Sequence, residues 1–393
     1  MSFLRRPGAP LVFLLHTIVV LPAAALVVWA LSVDSVWFDR HVLPNYCPRA
    51  SSTLVLEKVA RWTALAAGLA WTAFARPKIV RSLARPPSGT FFRASARIAV
   101  AVVLALGVSD LYLRIKERRR NLEHEARLPP MRCDETRNYV AIPSRANEWE
   151  VEGRAIRYEI NAEGNRAASI FELPDHDAPS ILFTGESIAL GLGVAYPQSY
   201  PARVAHAIGI QAVNLAVTGS PSDQAYLRLR ETLPTFSRPV AVVTLVLPDQ
   251  LERNVSDRRQ RLVQRDGRLE LAAESIWPWT TSPLRKLVPY HSDEAVELTR
   301  AILRATGELA RARNARALFV MTNFDQPCLV DESGTSRLER DLFSGLDLPH
   351  VRVDISPDQM IGFPKEVHPN ERGHQAIADA IIAALKDHPL ARP

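Results

Sequence analysis

Residues 180–193 read SILFTGESIALGLG, a stretch that places a serine just behind a short apolar run. The run 180–184 has the β-prone composition of a buried strand, and a Gly-Glu pair separates it from Ser187. Ser187 is therefore either a nucleophile on a strand-to-helix turn or a helix N-cap. The lipase pattern G-x-S-x-G fails, because Ala189 stands at its second glycine. The role of this serine depends on what the rest of the chain brings to that end of the strand.

The pattern of this stretch recurs along the rest of the chain. From about residue 150, short apolar runs alternate with amphipathic segments of helical spacing. The runs are 180–184, 212–216, 240–247, 317–322 and 351–355, and the helical segments are 201–208, 223–233, 293–312, 336–343 and 371–385. Apolar strands separated by helices are typical of a parallel sheet covered on both faces. We therefore predict an α/β fold, a three-layer α/β/α sandwich, over residues 151–393.

The N-terminal region has a different character, because residues 7–33 contain no charged side chain. About 20 apolar residues cross a bilayer, whereas the apolar part of a signal peptide spans about 7–15. The run therefore predicts an uncleaved transmembrane helix, and shorter apolar segments at 62–75 and 98–113 predict two more. Residues 1–115 are expected to form a membrane region with these three transmembrane helices, and residues 116–150 a charged juxtamembrane linker.

Basic residues indicate how these helices are oriented. Arg5, Arg6 and the basic residues between the second and third segments favour the cytoplasm for those sides. Three spans then place the C-terminal domain on the outer face of a bacterial inner membrane. The basic run RIKERRR at 114–120 follows the third segment and favours the opposite orientation. The outer face is the prediction that we retain.

Charge and cysteine content exclude several classes of function. The net charge is +6, but much of the positive charge lies within 76–127, around apolar segments. That location is typical of membrane topology signals and does not indicate a nucleic-acid partner. The three cysteines form no metal-ligand spacing. The sequence does not decide whether Cys47 and Cys133 form a disulfide or whether all three cysteines are unpaired. His374 follows His368 by six residues, which is not the spacing of a helical zinc pair, so neither a metal nor a cofactor is predicted.

Polar residues follow several of the predicted strands, at the edge where parallel sheets carry their sites. Ser187 follows the first strand, Gly219 the second and Asp249 the third, while His368 follows the last. A serine, backbone amides and a histidine at one edge provide a nucleophile, an oxyanion hole and a base. This constellation predicts acyl-transfer chemistry.

These residues resemble the SGNH (GDSL-like) hydrolase superfamily, and most of all its membrane-attached and exported bacterial members that act on acylated polysaccharides. The resemblance covers residues 150–390 and implies the flavodoxin-like fold of that superfamily. Four blocks in the family's order carry it. They are INAEGNR at 160–166, FTGESIALGLGVAYPQSYPARVA at 183–205, VNLAVTGSPSDQAYLRL at 213–229 and HPNERGHQAIADAI at 368–381.

The resemblance also implies a role for individual residues. Ser187 is the nucleophile, and its amide and that of Gly219 are oxyanion donors. His368 is the base, and Glu366, two residues before it, orients the imidazole. Asp249 occupies the third-block position, where the family has an asparagine as a further oxyanion donor.

Three positions depart from the family pattern. Glu186 replaces the aspartate before the serine, and Lys365 stands where an acid usually orients the histidine. An ionised Asp249 would repel an oxyanion, so it must be protonated, turned away or replaced by a donor such as Asn254. A Ser–His dyad oriented by a backbone carbonyl is the alternative to a triad with Glu366.

The expected function is that of a membrane-anchored serine esterase or deacylase acting on an O-acylated glycan or lipid. One alternative is an O-acetyltransferase that uses the same serine on a cell-envelope polysaccharide. Another is a catalytically silent binding or assembly protein that retains the fold. No oligomeric state is predicted.

Overall fold

The computed structural model describes most of the C-terminal two thirds of the chain and part of the N-terminal third. The described residues are 23–31, 51–75, scattered positions from 104 to 119, 130–134, 138–151, 153–248, 250–255, 260–272, 292–324, 332–362 and 368–387. The chain divides into two compact units. One comprises Met1–Leu43 with Arg49–Arg114, and the other Pro44–Pro48 with Ile115–Pro393.

Among the described residues of the N-terminal unit, two helical segments pack against each other. Residues 23–31 are helical, and helix α1 (Ser51–Ala70) continues into a π-helical turn at Trp71–Ala75. A Cβ on Gly68 would lie 3.0 Å from the carbonyl oxygen of Ala23. The two backbones therefore approach this closely because residue 68 has no side chain.

The predicted membrane spans lie partly outside the described residues. Span 7–33 is described only over 23–31 and span 98–113 only at scattered positions, whereas 62–75 falls on α1 and the turn that follows it. Among the described residues, no helix has both the length and the apolar composition needed to cross a bilayer. The three spans and the boundaries at 115 and 150 stay predictions.

The C-terminal unit is built on one eight-stranded sheet. The strands of the unit are β1 (Met131–Asp134), β2 (Asn138–Ala141), β3 (Arg145–Val151), β4 (Arg154–Ile160), β5 (Arg166–Ala167), β6 (Ser180–Thr184), β7 (Gln211–Asn214), β8 (Pro239–Val246), β9 (Leu262–Arg265), β10 (Arg268–Leu271), β11 (Arg316–Phe324) and β12 (His350–Ile355). The sheet has the order β12-β11-β8-β6-β7-β5-β4-β3, and β1-β2 and β9-β10 are separate antiparallel pairs. Strands β12, β11, β8, β6 and β7 are parallel. The prediction of an α/β fold around a parallel sheet is confirmed.

Helices cover both faces of this sheet and make it the middle of three layers. They are α2 (Ser187–Leu190), α3 (Tyr200–Ile208), α4 (Ser222–Thr232), α5 (Gln250–Asn254), α6 (Ser292–Ala312), α7 (Glu332–Phe343) and α8 (Glu371–Asp387). Phe183 packs with Val204 of α3 and Ile377 of α8 in one core. Leu182, its neighbour on β6, packs with α4, α6 and α7 in the other core. Successive strand residues point to opposite faces, so the short apolar run 180–184 contributes to both cores.

The antiparallel edge of the sheet was not predicted from the sequence. Strands β3 and β4 form a hairpin in which Val151 pairs with Arg154, and β5 joins β4 to β7. The hairpin turn contains Gly153 with a φ of +73°, a conformation that glycine adopts readily. Charged residues alternate with apolar ones along β4, which hides the strand from a search for continuous apolar runs.

Candidate active site

Ser187 is the first residue of the short helix α2 and follows β6 through a sharp turn. Gly185 in this turn has a φ of +144°, and a Cβ there would lie 2.9 Å from the Cβ of Leu245. The chain can therefore pass from strand to helix within two residues only because this position is glycine. The residue Ser187 is 6% exposed, at the carboxyl end of the buried strand.

His368 lies beside this serine, although 181 positions separate the two in the sequence. Its Nε2 is 2.8 Å from the Ser187 Oγ. For the hydroxyl to donate this hydrogen bond, Nε2 must be the unprotonated nitrogen and Nδ1 must carry the proton. The structure thus brings together the two residues that the sequence analysis proposed as nucleophile and base.

The segment around His368 is held by its backbone and by Asn370. The amide of Ile361 donates a hydrogen bond of 2.9 Å to the His368 carbonyl oxygen. The Asn370 side-chain oxygen accepts from the amides of Arg372 and Gly373 at the start of α8, as a helix-capping asparagine does. These contacts explain the asparagine of the HPN sequence, because Asn370 caps the helix that begins three residues after His368.

The second block of the resemblance contacts the helix that carries Ser187. Asn214, at the end of β7, donates from Nδ2 to the Ala189 carbonyl oxygen at 2.9 Å. Its side-chain oxygen accepts from the Ala216 amide at 3.1 Å. Gly219 then lies in a turn with a φ of +68°, where a larger residue would be strained. The sequence analysis did not propose Asn214 as a site residue. Its position inside the apolar run 212–216, five residues before Gly219, could have indicated it.

Two of the proposed site residues, Asp249 and Glu366, lie outside the described residues, as does Lys365. Their roles stay predictions. Asn254, the alternative oxyanion donor, is fully buried and donates to the Thr299 hydroxyl at 2.8 Å. It also accepts from the Asp223 amide at 3.3 Å, so the structure shows it joining α4, α5 and α6.

Gln250, the residue after Asp249, is a buried amide that the sequence analysis missed. Its side-chain oxygen accepts from the Leu247 amide at 3.2 Å and from the Ser222 hydroxyl at 2.9 Å. The Leu247 N–H can only donate, so the atom that faces it is assigned as the oxygen of this amide. Its Nε2 has no hydrogen-bond partner within the part of the chain that the structure describes. A neutral donor is thus buried at the third-block loop.

Glu186, the departure from the family aspartate, forms an ion pair with Arg253 of α5. The Glu186 side chain is 5% exposed and the Arg253 side chain 36% exposed. A buried carboxylate is costly unless it is paired and hydrogen-bonded, and the arginine meets that requirement. The longer acid beside Ser187 therefore has a partner in the third block.

His374 belongs to the core and not to the site. Its side chain is fully buried, its Nδ1 accepts from the Tyr200 amide at 3.3 Å, and its ring stacks on Tyr200 at 5.9 Å between centroids. Burial lowers the pKa of His374 to about 3, with further lowering by the nearby cations Arg166 and Arg203. These contacts give His374 a packing role between the last helix and Tyr200.

We expect His374 to make the domain unstable in acid. Its pKa is about 3 when folded and about 6.5 in an unfolded chain. Between these values only the unfolded state binds the proton, so stability falls as pH drops below about 6.5, by about 1.4 kcal/mol per pH unit. Denaturant unfolding at several values from pH 7 to pH 4.5 measures this slope. His374→Asn, which keeps an acceptor near the Tyr200 amide, is expected to have the shallower slope; equal slopes would contradict the assignment.

The chain matches no protein-family model. It also matches no curated protein sequence. Among solved structures it resembles a member of the lipolytic protein G-D-S-L family from Veillonella parvula, at 16% identity and a TM-score of 0.32, over 54% of this chain and 98% of that one.

Two other solved structures that resemble the chain are an esterase and an acyltransferase. An acetyl xylan esterase from the rumen bacterium Butyrivibrio proteoclasticus has 12% identity and a TM-score of 0.30, over 55% of this chain and 65% of that one. A salicylyl-acyltransferase from a tetracycline biosynthetic pathway has 15% identity and a TM-score of 0.30, over 56% of this chain and 59% of that one. At such low identity and TM-score, these likenesses assign no activity to the chain.

Proposed function

We propose that the C-terminal domain is a serine esterase of the SGNH type. The observation that carries the proposal is the 2.8 Å contact between Ser187 Oγ and His368 Nε2. It is a nucleophile–base pair within hydrogen-bond reach, at the carboxyl edge of a parallel sheet. A silent protein would have no need to keep this alignment, so the contact favours catalysis over the binding-protein alternative.

The proposed reaction proceeds through an acyl-enzyme. The Ser187 Oγ attacks the ester carbonyl carbon while His368 Nε2 takes its proton. The tetrahedral intermediate collapses, the bond to the alcohol oxygen breaks, and His368 returns the proton to that oxygen. Water, deprotonated by His368, then attacks the acyl carbon; the bond to the Ser187 Oγ breaks, His368 returns the proton to Oγ, and the acid is released. The same serine is regenerated, so no cofactor is required.

Further residues are proposed to support this reaction. The amides of Ser187 and Gly219 would stabilise the oxyanion, with Asp249 as the third-block residue of that hole. Because Nε2 faces the serine, the protonated Nδ1 of His368 needs an acceptor, and Glu366 is the candidate two residues away. A backbone carbonyl in that place would leave a Ser–His dyad.

The proposed substrate is an O-acylated glycan or lipid. An acyltransferase would form the same acyl-serine and differ only in the acceptor, a sugar hydroxyl in place of water. Assays with an acetylated glycan therefore need product analysis with and without an acceptor glycan. A transferred acetyl group would indicate the transferase, and free acetate the esterase.

A fluorophosphonate probe tests the central proposal without knowledge of the substrate. The probe phosphonylates a serine that is activated by a base, and peptide mass spectrometry locates the label. We expect one label, on Ser187, in the folded full-length chain and none after denaturation. Absence of labelling in folded protein would reject the esterase and the transferase alike.

We also propose that the N-terminal region attaches the domain to a membrane, with the domain on the outer face. The charge-free run 7–33 supports attachment, as do exposed apolar side chains such as Trp62 and Phe74, at 70% and 72% exposure. Fractionation of cells is expected to place the chain in the membrane pellet after a high-salt wash. A reporter that is active only outside the cytoplasm, fused at the C-terminus, tests the orientation; an inactive reporter would contradict the outer face.

A further inference from the structure

Arg166 is the largest fully buried side chain of the described residues, and it is only 2% exposed. Its Nη1 donates to the carbonyl oxygens of Leu190 and Gly191, both at 2.5 Å. Its Nη2 donates to the carbonyl oxygen of Val194 at 2.7 Å. All of these acceptors belong to residues 190–194, the segment directly behind the helix that carries Ser187.

This arginine remains charged, and its side-chain hydrogen bonds to the described residues all go to that segment. Burial lowers its pKa to about 10, so the guanidinium is protonated at neutral pH. Its carbon Cζ lies 4.5 Å from the centre of the Tyr158 ring, a cation–π contact. Within the part of the chain that the structure describes, no carboxylate contacts it. A buried cation is costly unless it is compensated, and here backbone carbonyls and an aromatic face provide the compensation.

The turn before Arg166 aims it at its acceptors. The Asn161 side-chain oxygen accepts from the amides of Glu163 and Asn165, and Gly164 has a φ of +78°. A side chain at Gly191 would meet the guanidinium, because its Cβ would lie 2.6 Å from the Arg166 Nη1. The N-x-x-G-x-R sequence of 161–166 supplies the guanidinium of this contact. The first glycine of the GLG sequence at 191–193 leaves the space that the guanidinium occupies.

The same segment also contacts the loop that carries His368. The Tyr158 hydroxyl, next to Arg166, accepts from the Gly193 amide at 2.7 Å. Gly193 lies against Ile361, and any Cβ at this glycine would overlap the Ile361 Cδ1. The Ile361 amide in turn donates to the His368 carbonyl oxygen. Residues 190–194 therefore join the element of the nucleophile to the element of the base.

We propose that Arg166 is a positioning residue that sets the distance between the Ser187 hydroxyl and the His368 imidazole. It fixes the segment behind Ser187, and that segment is the surface against which the His368 loop packs. This inference rests on the proposed function of the Ser187–His368 pair. A shift of about 1 Å between reacting groups can cost about 100-fold in rate, so a loosened segment would be costly even with both residues in place.

The test compares Arg166→Met with Arg228→Met in the full-length chain. Arg228 also binds the turn, donating to the Gly164 carbonyl oxygen at 2.6 Å and the Asn165 side chain at 3.0 Å, whereas the hydrogen bonds of Arg166 go to residues 190–194. We expect Arg166→Met to lower the maximal rate of fluorophosphonate labelling about 10- to 100-fold, with less than about 3-fold change in half-saturating probe concentration. Arg228→Met is expected to stay within about 3-fold of wild type on both constants.

Arg166→Lys provides a variant with the charge retained. One ammonium group cannot span the carbonyl oxygens that the planar guanidinium reaches together. We therefore expect a labelling rate between those of wild type and Arg166→Met. If Arg166→Met does not fold, as judged by circular dichroism, Arg166→Lys decides the matter by itself. A wild-type rate in Arg166→Lys, or equal losses in Arg166→Met and Arg228→Met, would overturn the positioning role.

Hydrogen exchange separates this inference from the proposed function. If the wild-type chain is not labelled at all, the proposed function fails, and exchange of peptides covering 187–194 and 359–370 becomes the measurement. Faster exchange of both peptides in Arg166→Met, but not in Arg228→Met, supports the link between the two elements. Unchanged exchange in Arg166→Met overturns it.

Discussion

Ser187→Ala is expected to abolish fluorophosphonate labelling and to lower ester hydrolysis by about 10⁴-fold or more, because no other group replaces the attacking oxygen. The hydroxyl is held 2.8 Å from its base at the carboxyl end of β6, and alanine removes only that oxygen. The fold should be unaffected, since Ser187 contributes no side-chain cap to its helix. Hydrolysis of p-nitrophenyl acetate and the denaturant midpoint of the same preparation measure both effects.

Ser180→Ala is the matched control for this prediction. Ser180 is the first residue of β6, and Ser187 follows the turn at the other end of the same strand. The two serines therefore lie at opposite ends of β6. The Ser180 hydroxyl donates to the Ala178 carbonyl oxygen at 2.8 Å and accepts from the Gln211 side-chain amide at 2.6 Å. The control variant should be labelled at the wild-type rate. Wild-type hydrolysis in Ser187→Ala would remove the basis of the proposed function.

The centre of the fold could be predicted because its strands are continuous apolar runs. Residues 180–184 are all buried, and each apolar side chain enters one of the two cores, so burial alone determines the pattern. The edge strands β3 and β4 could not be found in this way. Arg154 and Arg157 interrupt β4, and only Gly153 at the turn marked the hairpin.

The juxtaposition of Ser187 and His368 could be predicted, whereas the contacts that position them could not. Ser187 and His368 stand in local patterns that a sequence shows directly. The ion pair of Glu186 with Arg253 spans 67 residues and depends on how β8 leads into α5. The same holds for Arg166: the sequence shows Arg166 and Gly191 in their separate patterns, but not that the guanidinium donates to the backbone carbonyls of 190–194. The site thus depends on backbone groups that no residue type identifies.

His368→Ala is expected to slow labelling of Ser187 by about 10²- to 10⁴-fold, the usual contribution of a general base. The loop should persist, because the Ile361 amide donates to the backbone carbonyl of residue 368, which the substitution retains. The variant therefore leaves a space beside Ser187 that free imidazole can enter. We expect millimolar imidazole to restore part of the labelling rate in His368→Ala and to leave the wild-type rate unchanged.

His374→Asn is the matched control for the loss of the base. Both histidines lie near the start of α8, but the buried His374 ring faces Tyr200, and burial keeps it neutral across the assay range. Its replacement at pH 7.5 should leave the labelling rate within about 3-fold of wild type, because only a core contact changes. An equal decrease of the labelling rate in His368→Ala and His374→Asn would indicate that the decrease comes from disturbed packing at the start of α8. If His368→Ala lost nothing, the short contact with Ser187 would be structural, and the serine would need another base.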